Sequence, residues 1–177
     1  MREPIDFSEL DIVKLSAGFD LSIFDCDDAD LNSFLKEDAL LYQNGSLAIT
    51  YLCLYKNQVV GYFSLSSDAI RLDLEEKEVM PEPKQRLGEY PAVKIGRLAV
   101  HKDFVKRGIG TFLVKAAMGK VVVSIMKEIG CRFVTVDAYE EAVDFYNKLS
   151  FAPNLARKRT SGLSMRYDLM DYIKLIR

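Results

Sequence analysis

The chain has 177 residues, of which 49% are apolar and 28% are charged, and its formal net charge at pH 7 is −2. A chain of this length and composition can bury a core without disulfides or a structural metal, which excludes a disordered protein and predicts one domain over residues 1–177. The charge balance gives no global nucleic-acid signal. Three widely spaced cysteines, Cys26, Cys53 and Cys131, favour a reducing compartment and buried apolar packing.

No targeting or metal-binding pattern stands out along the chain. Residues 1–11 lack the apolar core of a signal peptide, and no apolar run is expected to span a membrane, so a cytoplasmic protein without a membrane partner is predicted. The single histidine, His101, excludes a multi-histidine metal site, and no metal is expected. Because His101 lies in a charged turn, its side chain is expected to be solvated.

The first half predicts a helix followed by an antiparallel hairpin. Asp28 or Asp30 can cap a helix that ends near an Asn-Gly pair. Two β-branched and aromatic runs, residues 48–55 and 59–66, are separated by three polar residues, which is typical of a hairpin. Gly61 marks either a close backbone approach or a bulge.

The second half alternates strands with helices after a charged insertion at residues 71–90 that is interrupted by Pro and Gly. Hairpins followed by a βαβα unit predict the α/β class, with a mixed sheet covered by helices. The elements expected after the insertion are a strand at 92–100, a helix at 108–129, a strand at 132–138, a helix at 140–149, a strand at 163–169 and a short charged tail.

A glycine-spaced basic turn joins a strand to a helix N-terminus, where Lys102, Lys106 and Arg107 surround Gly108 and Gly110. The first amides of a helix lack intrahelical partners and favour phosphate oxygens, and glycine lets a ligand approach the backbone. The turn lacks the third glycine of GxGxxG and the Gly-Lys-Ser/Thr ending of a P-loop. A dinucleotide enzyme or an NTPase is therefore disfavoured, although a plain solvated turn stays open at this point.

The stretch RLAVHKDFVKRGIGTFLV resembles the acetyl-CoA-binding motif of the GNAT family of N-acetyltransferases, which reads strand, R/Q-x-x-G-x-G/A, helix. The resemblance implies the GNAT fold, with a central, mostly antiparallel twisted sheet flanked by helices, and acetyl-CoA as cosubstrate. It also implies that strand amides at Leu98, Ala99 and Val100 bind the pantetheine arm, with one near Leu98 polarising the thioester carbonyl. The residues implied to bind the pyrophosphate through their amides are Val105, Lys106, Arg107, Gly108, Ile109, Gly110 and Thr111.

A second stretch, EEAVDFYNKLSFAP, is similar to the family's last helix and the turn that follows it. This similarity places Tyr146 where many members carry the general acid that protonates the departing thiolate. Three positions depart from the family pattern: Val105 replaces a Gln or Arg, Tyr139 an Asn, and Ser150 a Gly.

The opening SIFDCDDADLNSFLKEDALLYQNG, Arg97 and the ending SGLSMRYDL look like the branch of GNAT toxins that acetylate aminoacyl-tRNA. The prediction is an N-acetyltransferase acting on a primary amine of a small molecule, a protein or an aminoacyl-tRNA. A toxin with an antitoxin partner, a non-catalytic acyl-CoA-binding domain and a homodimer stay open. Because the strand at 92–100 carries no acidic residue, deprotonation through water is expected, with Asp137 and Glu140 as weaker candidates for a base. The basic residues that could form a local tRNA face are Lys84, Arg86, Lys94, Arg97, Arg157, Lys158 and Arg159.

Overall fold

The computed structural model describes residues 4–78, 80, 87–156 and 162–176. The chain divides into two compact units, which we call the first unit (Met1–Ser66 with Ile95–Ala117) and the second unit (Ser67–Lys94 with Met118–Arg177). In the described residues the strands are β1 (Leu10–Lys14), β2 (Ile49–Tyr55), β3 (Gln58–Ile70), β4 (Tyr90–Val100), β5 (Phe133–Ala138), β6 (Ala152–Pro153) and β7 (Leu163–Asp168). The helices are α1 (Ala29–Ser33), α2 (Ala39–Asn44), α3 (Leu74–Glu78), α4 (Ile109–Lys120), α5 (Met126–Glu128), α6 (Val143–Lys148) and α7 (Leu169–Ile176).

The strands are hydrogen bonded in the order β1-β2-β3-β4-β5-β7-β6. This mixed, mostly antiparallel sheet with flanking helices confirms the predicted α/β class. The strand β1 was not predicted from the sequence, because five residues give too short a pattern to distinguish from a loop.

The hairpin β2–β3 forms as predicted, with a tighter turn. Tyr55 pairs with Gln58, so only Lys56 and Asn57 turn the chain, and both have a positive φ, as this hairpin type requires. The register shifts between Cys53 and Leu54, opposite residues 59–61. A Cβ on Gly61 would lie 2.9 Å from the Ala99 carbonyl oxygen and 2.9 Å from Leu113 Cδ1, so Gly61 combines the predicted close approach with a bulge.

The N-terminal helix of the first unit begins where the sequence predicted. Asp28 is its cap, because its Oδ1 accepts a hydrogen bond from the Leu31 amide at 3.0 Å. A π-helical segment, Phe34–Asp38, joins α1 to α2, which ends at Gly45. The helix buries one face in a core whose buried members are Leu15, Phe24, Phe34, Leu35, Ala39, Leu52, Val59, Tyr62 and Ala99.

The second unit centres on β7, which pairs antiparallel with both β5 and β6. Its buried core cluster consists of Ile70, Leu72, Tyr90, Ala92 and Phe133. The predicted charged tail is wrong, because residues after Asp168 form α7. Asp168 starts this helix, since its Oδ1 accepts from the Met170 amide at 2.9 Å while Arg132 donates to both of its oxygens.

The charged insertion at 71–90 is built into the second unit through α3. Asp73 and Glu76 cap each other, because the Asp73 amide donates to Glu76 Oε2 at 2.8 Å and the Glu76 amide to Asp73 Oδ1 at 2.9 Å. The buried Glu76 carboxylate also pairs with Arg166 and accepts from the Leu155 amide at 3.1 Å. Residues 79 and 81–86 of the insertion lie outside the described residues.

The helical stretch Ile109–Glu128 is long and apolar enough to cross a membrane by length and composition, contrary to the sequence expectation. A core helix of a soluble protein meets the same two criteria, and Leu113 and Val114 are fully buried. Two of the three cysteines are packed as predicted: Cys53 and Cys131 are buried, and burial raises the pKa of Cys53 to about 12 and of Cys131 to about 11. Cys26 is only partly buried, and its thiol donates to Asn32 Oδ1.

Candidate active site

The predicted phosphate-binding turn lies at the start of α4. Its first intrahelical hydrogen bond runs from the Phe112 amide to the Gly108 carbonyl at 3.0 Å. The amides of Ile109, Gly110 and Thr111 precede that bond and therefore have no acceptor within the helix. Unpaired amides at the positive end of a twelve-residue helix are the groups that favour an anion, as the sequence predicted for this turn.

Gly108 is required for a reason that the sequence did not show. Its φ is +85°, and a Cβ there would lie 2.9 Å from Phe7 Cζ. The Phe7 ring also contacts Phe112, with 5.9 Å between ring centroids. Gly110 lies in α4 and has no positive φ, so its backbone conformation is one that other residues also adopt. A substitution at Gly108 would disturb the packing against Phe7 as well as the approach of a ligand. Gly110 is therefore the better position at which to test ligand binding.

The three cations at the turn differ in their surroundings. The Lys102 ammonium is committed, because it donates to Asp25 Oδ2 at 2.7 Å. Lys106 is exposed, has a φ of +59°, and its ammonium forms no ion pair or hydrogen bond within the described residues. The Arg107 guanidinium stacks over the Phe104 ring, 5.2 Å from its centroid.

The expectation of a solvated His101 is wrong, because the ring is 5% exposed. The Asp103 amide donates to Nδ1 at 3.2 Å, and Nε2 lies 3.3 Å from the Ile23 carbonyl oxygen. This pattern fits a neutral ring with its proton on Nε2. Phe24 and Phe104 pack edge-on against it, so His101 anchors the turn.

The predicted pantetheine-binding strand is the end of β4 and belongs to the same unit as the turn. Ala99 is buried, whereas Leu98 and Val100 are half-buried. The next amide, that of His101, donates to the Val60 carbonyl at 2.9 Å, which holds the strand end against β3. Leu98–Val100 and residues 105–111 thus both belong to the first unit.

Tyr146 lies on α6 in the second unit, so its surroundings are described separately. The ring is 8% exposed and packs against Phe145 and Phe151, at centroid distances of 5.0 and 5.3 Å. Its hydroxyl makes no hydrogen bond to any described residue, and burial raises the pKa of Tyr146 to about 12. The Tyr146 hydroxyl is therefore protonated at neutral pH, and no described residue accepts a hydrogen bond from it.

The three departures from the family pattern have simple local consequences. Val105 is 44% exposed and adds an apolar side chain where the family has a polar one. Tyr139 is 48% exposed at the start of the helical segment that leads to α6. Ser150 has a φ of +65°, so it adopts the left-handed conformation that the family's glycine supplies without strain.

The predicted local basic face is only partly available. Lys94 donates to Asp137 Oδ2 at 2.8 Å and lies 3.7 Å from Asp68. Arg97 lies 3.7 Å from Asp30 and stacks over the Phe34 ring. Both side chains are therefore ion-paired with carboxylates. The other predicted members, Lys84, Arg86, Arg157, Lys158 and Arg159, lie outside the described residues.

Two buried polar residues were not identified from the sequence. Asn154 and Ser164 are buried, yet neither the Asn154 amide group nor the Ser164 hydroxyl has a hydrogen-bond partner in the described part of the chain. Single asparagines and serines are too common for a sequence pattern to mark them. Among the described residues no group of three or more His, Cys, Asp or Glu side chains could hold a metal ion.

Comparison with known proteins identifies the class. The model of the acetyltransferase (GNAT) family matches residues 19–151. The chain therefore belongs to the GNAT family and is an acetyltransferase. The family also confirms acetyl-CoA as the cosubstrate, and the free amides of the turn fit its pyrophosphate.

The most similar proteins include several toxins. A tRNA-acetylating toxin of Mycobacterium tuberculosis is 28% identical over 144 residues, which are 78% of this chain and 81% of the relative. The structure of AtaT complexed with acetyl-methionyl-tRNAfMet has a TM-score of 0.80 at 26% identity, covering 95% of this chain and 99% of AtaT. A tyrosine-to-phenylalanine mutant of AtaT, bound to the C-terminus of the antitoxin AtaR and acetyl-CoA, has a TM-score of 0.76 at 25% identity, covering 95% of this chain and 98% of the other.

Proposed function

We propose that this acetyltransferase transfers the acetyl group of acetyl-CoA to the amine of an aminoacyl-tRNA, in the manner of a toxin. The observation that carries the proposal is the likeness of nearly the whole chain to AtaT, which has been solved with acetyl-methionyl-tRNAfMet. The toxin-like opening and ending of the sequence support it independently. Because tRNA is a cytoplasmic molecule, the proposed reaction takes place in the cytoplasm.

The turn before α4 is proposed to hold the donor. Amides of Ile109, Gly110 and Thr111 would donate to the pyrophosphate, and Lys106 would supply a nearby positive charge. Val105 contributes no polar group there, so the backbone carries more of the binding than in relatives with Gln or Arg. The amide near Leu98 would polarise the thioester carbonyl by hydrogen bonding.

Bound acetyl-CoA supplies a thioester, and the reaction forms an N–C bond, breaks the C–S bond, removes a proton from the amine and delivers one to sulfur. Tyr146 is proposed to deliver it. With a pKa of about 12, Tyr146 keeps its proton at neutral pH and is a weaker acid than a free thiol of pKa ~8.5. Its open hydroxyl is suited to hydrogen bond to sulfur as negative charge develops. As the C–S bond breaks, the proton passes from Tyr146 to sulfur, and Tyr146 regains one from the water that has taken the proton of the amine.

The amine must be neutral when it attacks. The part of β4 from Ala92 to Val100 contains no acidic side chain, and Asp137 is occupied by Lys94 at 2.8 Å. We therefore propose that the amine loses its proton to water and that the neutral amine is the form that reacts.

The test is transfer of labelled acetyl from acetyl-CoA to total tRNA charged with the standard amino acids. Acetyl-aminoacyl-tRNA should form, whereas uncharged tRNA and aminoacyl-tRNA with a formylated amine should remain unlabelled. Labelling of small amines or protein amines alone would show that the acceptor is not aminoacyl-tRNA, although the acetyltransferase activity would stand. Co-expression with a small DNA-binding protein encoded beside the gene should relieve growth arrest if the protein acts as a toxin.

A further inference from the structure

Arg97 places a partly exposed guanidinium beside the proposed donor site in the first unit. The residue lies on β4 directly before Leu98, whose amide is proposed to polarise the thioester carbonyl. Its Cζ stands 5.4 Å from the centroid of the Phe34 ring, and its Nη1 donates to the Gly96 carbonyl at 3.1 Å. The ring and the carbonyl together hold the guanidinium in place. Because the Arg97 side chain is 41% exposed, this positive charge is accessible to a ligand.

The ion pair between Arg97 and Asp30 is a loose one. The distance from Nη2 to Asp30 Oδ2 is 3.7 Å, which is longer than a hydrogen bond, and the Asp30 side chain is 65% exposed. An exposed ion pair of this kind contributes little, so an anionic ligand can displace it. The Nε atom of Arg97 is buried, and a ligand therefore meets the Nη groups. The N–H groups of an arginine match the oxygens of a phosphate.

A second partly exposed group packs against the same phenylalanine. Tyr42 lies edge-on to Phe34, with 5.5 Å between ring centroids and 87° between ring planes. Phe34 is 5% exposed and Tyr42 is 42% exposed, so a ligand meets Tyr42 and Arg97 rather than Phe34. We call Arg97, Phe34 and Tyr42 the stacked platform. An aromatic ring near a cation suits single-stranded nucleic acid, because bases stack on rings and phosphates pair with cations.

The position of Arg97 along β4 favours the acceptor over the cosubstrate as its ligand. The proposed pyrophosphate site begins at Val105, further along the chain, whereas the thioester carbonyl is proposed to lie at Leu98. The phosphates of acetyl-CoA would then lie at the far end of its pantetheine arm from Arg97. A phosphate at Arg97 would belong to the acceptor instead. In an aminoacyl-tRNA the amino acid is attached directly to the single-stranded 3′ end, so phosphates lie close to the reacting amine.

We infer that the stacked platform binds the single-stranded 3′ end of the aminoacyl-tRNA. The Nη groups of Arg97 donate to a backbone phosphate next to the aminoacylated ribose, and the Tyr42 ring stacks on a base of the same segment. These two contacts hold the acceptor end beside the thioester. The inference rests on the proposed function, since it names residues that bind the proposed acceptor.

The main variant is Arg97→Gln, which removes the charge and keeps a polar side chain. Steady-state transfer to the charged tRNA that wild type acetylates best should show KM for tRNA raised about tenfold or more, with acetyl-CoA affinity unchanged. Loss of one phosphate contact to a single strand should also make the slope of log KM against log salt shallower by about 0.7. Arg97→Lys keeps the charge and should restore the slope.

The matched control is Lys36→Gln, which removes a different cation. Lys36 is exposed on the π-helical segment that carries Phe34, and its ammonium donates to the Ser22 carbonyl at 3.2 Å. Because Lys36 is not part of the stacked platform, the variant should keep the KM and the salt slope of wild type.

The aromatic half of the platform is tested with Tyr42→Leu, which removes the ring, and Tyr42→Phe, which keeps it. KM for tRNA should rise about fivefold or more in the leucine variant and stay near wild type in the phenylalanine variant. A charged acceptor-stem minihelix keeps the single-stranded end, so Arg97→Gln and Tyr42→Leu should show the same losses with it as with full-length tRNA. Thermal melting checks that each variant is folded.

The outcomes separate this inference from the proposed function. If wild type acetylates no aminoacyl-tRNA, the proposed function itself fails, and that is seen before any variant is made. If wild type is active and Arg97→Gln keeps its KM, or Lys36→Gln raises KM equally, the stacked platform does not bind the acceptor. Reduced acetyl-CoA affinity in Arg97→Gln, or losses confined to full-length tRNA, would also overturn the inference. Should Arg97→Gln fail to fold, the KM values of Tyr42→Leu and Tyr42→Phe decide.

Discussion

Lys102 and Asp25 are joined twice: the Lys102 ammonium donates to Asp25 Oδ2 at 2.7 Å, and the Lys102 amide donates to the Asp25 carbonyl at 2.8 Å. The amide group of Asn32 and the backbone amide of Asp27 donate to the other carboxylate oxygen, both at 2.9 Å. The segment before α1 is thereby fastened to the turn that precedes α4. Lys102 foremost, and then these two donors, lower the pKa of Asp25 well below its usual range.

The first prediction concerns stability against pH. A carboxylate whose pKa is lowered on folding stabilises the protein above its unfolded pKa of about 3.9 and loses that contribution as pH falls toward the folded pKa. Wild type should therefore unfold at a higher urea concentration than Asp25→Asn at neutral pH, and the difference should shrink below about pH 4. Because Asp25 is partly exposed, added salt should reduce the difference too. A difference that persists unchanged in acid would show that the carboxylate charge is not involved.

The second prediction tests the phosphate-binding turn through Gly110. A glutamate there places a negative charge among the amides of the first turn of α4, so acetyl-CoA affinity should fall by about a hundredfold or more in calorimetry. Gly110→Ala is the matched control, because the φ of Gly110 is not positive and alanine adds no charge. Alanine should retain most of the affinity. Equal affinity in the glutamate variant and wild type would place the binding site elsewhere.

The third prediction concerns Tyr146. Phenylalanine keeps the ring against Phe145 and Phe151 and removes the donor, so single-turnover transfer should slow by roughly 10²-fold with acetyl-CoA affinity retained. Since the pKa of Tyr146 is about 12, its ionisation should produce no loss of wild-type activity below about pH 10. A wild-type rate in Tyr146→Phe would remove the hydroxyl from the mechanism. Lost affinity would instead assign it to positioning the cosubstrate.

The fourth prediction concerns the buried ion pair of Glu76 and Arg166. Replacing Glu76 with alanine leaves a largely buried guanidinium without its partner and uncaps α3, which should cost about 3 kcal/mol or more of unfolding free energy. Chemical denaturation monitored by circular dichroism measures it.

The control lies in the same insertion, where Arg71 and Glu89 form an exposed pair at 3.2 Å. Glu89→Ala should cost less than about 1 kcal/mol, because exposed ion pairs contribute little. Similar losses in Glu76→Ala and Glu89→Ala would mean that burial of Glu76 does not make its ion pair important.

The local elements were predictable because their signals are local. The hairpin follows from two β-branched runs around a short turn, and the start of α1 from the Asp28 cap. The glycine-spaced turn was predictable for the same reason, since the strand, the glycines and the helix follow one another directly along the sequence. The helix α7 was missed because its eight residues directly continue a strand, and the Asp168 cap that starts it is also held by Arg132.

The long-range contacts were not predictable from one sequence. Asp25 and Lys102 are 77 positions apart, and each looks like an ordinary surface charge in its own neighbourhood. His101 was misjudged because its neighbours along the chain are charged, while its neighbours in space include Phe24. The unpaired state of Asn154 and Ser164 exists only once β6, β7 and β5 are assembled.

The strand order ends at β6, which has only two residues and includes Pro153. Proline has no amide hydrogen to offer, and the Arg166 guanidinium donates to the Pro153 carbonyl. An incoming strand would therefore find almost no ladder to extend at this margin of the sheet. This margin of the sheet is therefore protected against edge-to-edge pairing between copies of the protein.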